Sequence, residues 1–212
     1  MTWSGVHVIA DMGASPSRSP LDIANAALAG GVRIIQVRAK GAASRDLLEA
    51  AISVATAVRS CQDGRLVVND RFDVALAAGA DAVHLGQDDL PAADARKAIE
   101  ASGARLTCGI STHDIGEARR AEQAGAAYVG FGPIFQTGSK ANPLPPRGLE
   151  VLAEVCRTLS IPVIAIGGID LEGARAARRA GAAGVAVISA VAAAPDMSAA
   201  ARALVGIFST PV

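Results

Sequence analysis

Four copies of one short pattern constrain the fold of this chain more than any other feature. Ala29-Gly30-Gly31, Ala78-Gly79-Ala80, Ala124-Gly125-Ala126 and Ala180-Gly181-Ala182 recur at intervals of about fifty residues. In each copy an Ala-rich helical stretch ends at glycine, as helix C-termini do. An apolar run of strand length follows each: Val32–Val37, Ala82–Leu85, Ala127–Phe131 and Gly184–Ile188. Fifty residues are too many for one strand–helix unit and fit two. Interleaved with these runs are Val6–Ala10, Leu66–Val68, Leu106–Ile110 and Val163–Ile166, which makes eight units.

The gaps read as helices. Residues 21–29, 44–60, 71–78, 91–101, 114–124, 148–159, 171–180 and 197–208 carry apolar side chains at helical spacing. Ser44 and Asp114 stand where N-caps belong, and Pro91 suits a first turn. Strict alternation of strand and helix implies a parallel sheet with right-handed crossovers. An open doubly wound sheet would show a glycine-rich fingerprint after the first strand, and Asp11–Ser19 is not one. The expected fold is α/β, a single (β/α)8 TIM barrel over residues 1–212, with its core at about 6–208.

Composition fits that expectation. Hydrophobic residues make up 51% of the chain and aromatics only 3%, so Val, Ile, Leu and Ala must fill the core, which suits strands buried on both faces. The 20 basic and 20 acidic side chains cancel, which argues against a nucleic-acid partner. An anionic ligand would need local clusters of Lys and Arg. No stretch reads as a membrane span; the run 180–195 is short, rich in Gly and Ala, and reads as a buried strand and the start of a helix. Cys61, Cys108 and Cys156 lack metal-like spacing and read as reduced core fillers, and Met1–Gly5 begins no secretory signal, so a cytoplasmic protein is expected.

In a parallel barrel all strand exits face one mouth. Gln36, Arg38 and Lys40 alternate at the second exit, where an amide, a guanidinium and an ammonium could grip an oligophosphate. Ordinary surface charges would read the same way. Asn69-Asp70 and Gln87-Asp88-Asp89 follow the third and fourth runs. Two carboxylates from neighbouring strands can hold Mg2+; equally, each could cap the helix that follows it. Spacing does not separate Asp88 from Asp89. Residues 132–140 open a long excursion with Thr137, Ser139 and Lys140, either a lid over a phosphate or plain turn chemistry. Gly167 and Gly168, with Ile188 and Ser189, lie at the seventh and eighth exits, the recurrent phosphate site of this barrel class. His7, His84 and His113 read most simply as hydrogen-bonded structural residues.

Taken in order, these segments resemble the thiamine-phosphate synthase family. The match rests on Gln-Val-Arg-Ala-Lys (36–40), Val-Asn-Asp-Arg (68–71), His-Leu-Gly-Gln-Asp-Asp-Leu (84–90), Gly-Ile-Ser (109–111), Gly-Pro-Ile-Phe-Gln-Thr-Gly-Ser-Lys (132–140), Ala-Ile-Gly-Gly-Ile (165–169) and Val-Ile-Ser-Ala-Val (187–191). The resemblance implies a barrel that joins hydroxymethylpyrimidine diphosphate to hydroxyethylthiazole phosphate, giving thiamine monophosphate and pyrophosphate. It implies diphosphate contacts from Gln36, Arg38, Lys40, Asn69, Ser111 and Lys140, of which Arg38, Lys40, Ser111 and Lys140 would serve the chemistry. Asp70 and Asp89 would hold Mg2+. Thr137 and Ser139 would meet the thiazole, and Gly168, Ile188 and Ser189 its phosphate. The implied mechanism is dissociative: the bond to pyrophosphate breaks first, and the thiazole nitrogen attacks the resulting cation. Such chemistry needs charge neutralisation and alignment more than a general base. Ser139 replaces the family's usual second Thr, and Ala10 its usual Thr before Asp11.

The expected partners are phosphorylated small molecules, with no membrane and no nucleic acid, and a homo-oligomer is compatible with the sequence. Two other readings stand beside the synthase. A thiazole tautomerase shares the fold but carries His where this chain has Pro133, and tends to lose the metal and diphosphate residues. The third is a non-catalytic barrel that binds a thiamine intermediate.

Overall fold

The computed structural model describes residues 3–14, 17–138 and 144–209. Strands β1 (Gly5–Asp11), β2 (Ile34–Arg38), β3 (Arg65–Asn69), β4 (Ala82–Leu85), β5 (Thr107–Thr112), β6 (Tyr128–Phe131), β7 (Val163–Ile166) and β8 (Gly184–Val187) form a closed barrel in sequence order. All pairings are parallel, and β8 returns to β1 through Gly184 opposite Gly5 and Val187 opposite Val8. Between them run α1 (Pro20–Ala29), α2 (Ser44–Arg59), α3 (Phe72–Ala77), α4 (Ala92–Ser102), α5 (Ile115–Gln123), α6 (Gly148–Thr158) and α7 (Leu171–Arg179). After β8 come the short α8 (Ser189–Ala192) and then α9 (Met197–Ser209). The eight expected units are present. The four residues of α8 are an addition to them.

Strand alternation sorts the side chains into two cores. Ile9, Ile34, Val67, Ala82, Tyr128, Ile164 and Ala186 point inward and pack with Trp3 in the barrel interior. Their neighbours along each strand, such as Val8, Ile35, Val68, Val83, Val129, Ala165 and Val185, point outward and pack against the helices. Both faces of every strand are therefore buried, as the Val-rich runs require. Trp3 closes the N-terminal end of the interior, its ring 5.3 Å from that of Tyr128 and 4.9 Å from the Arg65 guanidinium. With so few aromatics in the chain, two of them fill this one position.

Parity then decides what reaches the opposite end. Continuing the inward set two residues at a time leads to Asp11, Gln36, Arg38, Asn69, His84, Ser111 and Ile188. A polar crown over an apolar plug follows from a period of two.

Helix ends differ in detail from the sequence reading. Asp114 caps α5 by accepting from Glu117 N at 2.8 Å, as expected. Ser44 is the first residue of α2, whose N-cap is Ala43, and its hydroxyl instead accepts from Arg71 Nη1. Pro91 is the N-cap of α4 rather than part of its first turn, which its lack of an N–H allows.

Candidate active site

Arg38 ends β2 directly opposite Asp11 on β1, and the two form a largely buried ion pair. Asp11 also accepts from Gly13 N at 2.8 Å and Ala14 N at 3.0 Å, so the loop after β1 folds over its own carboxylate. Gln36 lies one inward step deeper and is buried. Lys40 is not on the strand, as alternation alone would have it. It sits two residues beyond the end of β2, exposed, yet close enough to Asp70 to act on its charge.

Asp70 follows Asn69, the buried last residue of β3, and takes a left-handed backbone with φ of 61°. A non-glycine residue held there costs about 1–3 kcal/mol and needs support. Part of that support is its N–H, which donates to His84 O at 2.8 Å. Asp89, from the loop after β4, accepts from Gly86 N at 2.7 Å and faces Asp70. Burial, and then the contact and charge of Asp89, push the Asp70 carboxyl up to about 6, while Lys40 and Arg38 pull it down. Neither acid caps a helix: α3 begins after Arg71 and α4 after Pro91, both without a side-chain cap. The capping alternative is thus overturned. Asp88 is exposed, and it is the Asp89 carboxylate that meets Asp70.

The floor of the site is a short polar chain. His84 Nδ1 lies 3.1 Å from the Tyr128 hydroxyl, and Nε2 lies 2.9 Å from Ser111 Oγ. Gln87 donates to Ser111 O at 2.6 Å, so Ser111 is held through both side chain and backbone. Tyr128 fits because residue 109 is glycine; a Cβ there would lie 2.2 Å from the Tyr128 ring. His84 was expected to be a hydrogen-bonded structural residue, and it is one, but its bond reaches Ser111. His7 donates to Trp3 O at 2.7 Å, and burial lowers its pKa to about 4. His113 pairs with Glu117 at 3.0 Å. The three cysteines are free and packed on the core, and burial raises Cys108 to about 12 and Cys156 to about 11. Such thiols are inert.

The adjoining part of the rim comes from the loop after β6 and the exits of β7 and β8. Ile134 N donates to Ile166 O at 2.9 Å and Phe135 N to Gly167 O at 3.0 Å, so this loop runs against β7. Gly168 (φ 66°) lies beneath it, and a Cβ there would be 2.3 Å from Gln136 O. Only glycine allows that approach. A cavity of about 970 Å3 opens at this mouth, lined by Asp11, Arg38 and Lys40 from the exits of β1 and β2 and by Thr137, Gly168, Ile188 and Ser189 from the loop after β6 and the exits of β7 and β8. Ser139 and Lys140 lie outside the described residues. From the sequence, Asp11 follows the first apolar run and converges on the same mouth, but no role in the site is assigned to it. The inward parity of Ile9 is the signal that marks it.

Among the described residues no group of three or more His, Cys, Asp or Glu could hold a metal. The Asp70–Asp89 pair offers two carboxylates. No helix among the described residues is long and apolar enough to cross a membrane.

Fold and site together define a (β/α)8 barrel whose mouth combines clustered cations, a facing acid pair and a glycine-lined wall. Residues 6–191 match the family model for thiamine monophosphate synthase. The chain is 48% identical over 199 residues to the thiamine-phosphate synthase of Roseiflexus sp. (strain RS-1), covering 94% of this chain and 83% of that one. It is 52% identical over 186 residues to the thiamine-phosphate synthase of Chlorobium phaeovibrioides, covering 88% and 87%. The solved thiamine phosphate pyrophosphorylase of Pyrococcus furiosus superposes with a TM-score of 0.85 at 36% identity, covering 96% of this chain and 95% of that one. The chain belongs to the thiamine monophosphate synthase family.

Proposed function

We propose that this barrel, working as one domain, condenses hydroxymethylpyrimidine diphosphate with hydroxyethylthiazole phosphate to give thiamine monophosphate and pyrophosphate. One observation carries the reading: a single cavity is lined both by the guanidinium and ammonium groups of Arg38 and Lys40 and by Gly168 and the hydroxyl-bearing Thr137 and Ser189. Two anionic substrates need two anion sites within reach of one another, and this cavity has room for both.

Arg38 and Lys40, with Gln36, Asn69, Ser111 and Lys140, would hold the diphosphate. Their charges and donors stabilise the pyrophosphate as its bond to the pyrimidine methylene breaks. Thr137 and Ser139 would contact the thiazole, and Gly168, Ile188 and Ser189 would seat its phosphate. Holding that phosphate at the β7 and β8 exits while the diphosphate is held by the β2 exit would aim the thiazole nitrogen at the cationic carbon, and alignment of this kind supplies much of the rate.

Asp70 and Asp89 fit a divalent cation. Burial first, and the adjacent Asp89 next, push the Asp70 carboxyl up to about 6, and a cation bound between the two acids would relieve both effects. Two protein ligands suit Mg2+, which keeps waters and takes substrate phosphate oxygens as its others. When bound, the ion supplies further neutralisation of the leaving group.

The test is incubation of purified protein with both precursors and Mg2+, following thiamine phosphate and pyrophosphate. Equal amounts of the two are expected. Isomerisation of the thiazole precursor alone would reassign the chain to the tautomerase reading. Tight binding without turnover would make it a binding protein. Intact Asn69, Asp70 and Asp89, and Pro133 in place of His, favour the synthase.

A further inference from the structure

Asp11 sits where three parts of the mouth meet. It is the last residue of β1, only 3% exposed, and directly across the sheet from Arg38. One carboxylate oxygen takes the N–H groups of Gly13 and Ala14, both of which line the cavity. The other is engaged by Arg38 Nη1. Met12 N donates to Arg38 O at 2.9 Å, so the backbones are stitched together at the same point. No step of the reaction described above uses this carboxylate.

Resting on the function proposed above, we propose that Asp11 is a positioning residue that aims the Arg38 guanidinium at the diphosphate and sets the loop edge beside it. A guanidinium has five N–H donors in a fixed plane. An acid bonded to one edge fixes that plane and leaves other donors facing the cavity. A free arginine side chain must give up rotamer freedom when an anion binds, whereas this one has already done so. The carboxylate also removes some attraction for an anion, because it neutralises part of the charge. A buried carboxylate kept opposite an anion-binding arginine therefore serves alignment rather than net charge. Its two bonds to the loop explain why it is Asp: the short side chain reaches Gly13 N and Ala14 N on its own strand end while it still meets Arg38.

A double-mutant cycle on the full chain tests this. Asp11→Asn keeps an oxygen for Gly13 and Ala14 and removes the charge that holds Arg38. It should raise KM for the pyrimidine diphosphate about tenfold, the scale of a lost charge-assisted hydrogen bond. KM for the thiazole phosphate should stay within about twofold. In an Arg38→Ala background the same change should add less than about twofold. Calorimetric titration with inorganic pyrophosphate and Mg2+ should show the same pattern without turnover. Arg38→Ala alone strands a buried carboxylate and should melt earlier, and adding Asp11→Asn should recover part of that loss. An equal rise in both KM values, or a full Asp11→Asn effect without Arg38, would overturn the inference. So would unchanged or tighter pyrophosphate binding by Asp11→Asn. If Asp11→Asn melts too early to assay, Asp11→Ser takes its place in the cycle under the same criteria. A wild-type chain that makes no thiamine phosphate would instead sink the function proposed above, while the pyrophosphate and melting cycles would still judge Asp11.

Discussion

Asp70 and Asp89 reach each other from successive strand exits, and Asp70 does so from a left-handed backbone that few aspartates adopt. Burial, and then the neighbouring Asp89, disfavour a charged Asp70. Asp89→Asn should remove the repulsion, bring the Asp70 pKa down from about 6, and leave the metal-free protein at least as heat-stable as the parent. Turnover with Mg2+ should fall by about 10²-fold or more, the scale of losing a transition-state charge partner. Thermal melts beside initial rates check both halves. A normal rate would move the metal site elsewhere.

If Asp70 and Asp89 hold Mg2+ as proposed, its affinity depends on pH. Asp70 takes up a proton near pH 6 in the metal-free fold, well above the ordinary 3.8. Proton and metal compete for that carboxylate. Apparent Mg2+ affinity, measured by calorimetry, should fall as pH drops through about 6. Constant affinity from pH 7.5 to 5 would separate Asp70 from the metal.

Arg38 lines the cavity at the exit of β2. Arg38→Ala should weaken binding of the pyrimidine diphosphate by roughly tenfold to a hundredfold, as expected for a lost charge-assisted bond. Binding of the thiazole phosphate should barely change. Matching losses for both ligands would show that the two anion sites are not divided as proposed.

His7 should shape acid stability. It is buried and neutral, with its pKa lowered from 6.5 to about 4. The unfolded chain binds this proton between those values and the folded chain does not. Stability therefore rises with pH across that window and is lost as pH falls from 6.5 toward 4, by up to about 3 kcal/mol. His7→Gln can still donate to Trp3 O and should flatten that slope in denaturant titrations at pH 4.5 and 7. Equal slopes for the two proteins would assign acid lability to other groups.

Gly109→Ala should drive a methyl into the Tyr128 ring. Overpacking of that kind costs about 1–3 kcal/mol. Because Tyr128 supports His84, and His84 meets Ser111, kcat should fall more than the melting temperature alone would suggest. A destabilised variant with unchanged kcat would confine Tyr128 to packing.

Much of the barrel is legible from periodicity, because the strands are largely apolar on both faces and four of the helices close on an Ala-Gly pattern before the next strand. Parity also carries Gln36, Arg38, Asn69 and Ser111 to one mouth without any coordinates. Other features depend on neighbours that sequence order does not state. The positive φ of Asp70 looks like any loop aspartate until β3 is paired with β4. Asp11 gains its meaning only from register with Arg38, 27 residues later. Ser44 and Pro91 each miss their expected helical positions by one residue, since cap preferences do not decide between adjacent positions. His84 is both a buried structural histidine and the hydrogen-bond partner of Ser111, and its sequence context expresses only the first.

Gly5 N donates to Ala183 O, and a methyl on Gly184 would strike Gly5 O at 2.0 Å. The seam of the ring is thus stitched between the first and the eighth strand. On the ribosome the first strand must wait, with one hydrogen-bonding edge bare, until the eighth emerges. Binding competence should consequently arrive all at once and late in translation, when that final stave drops into place.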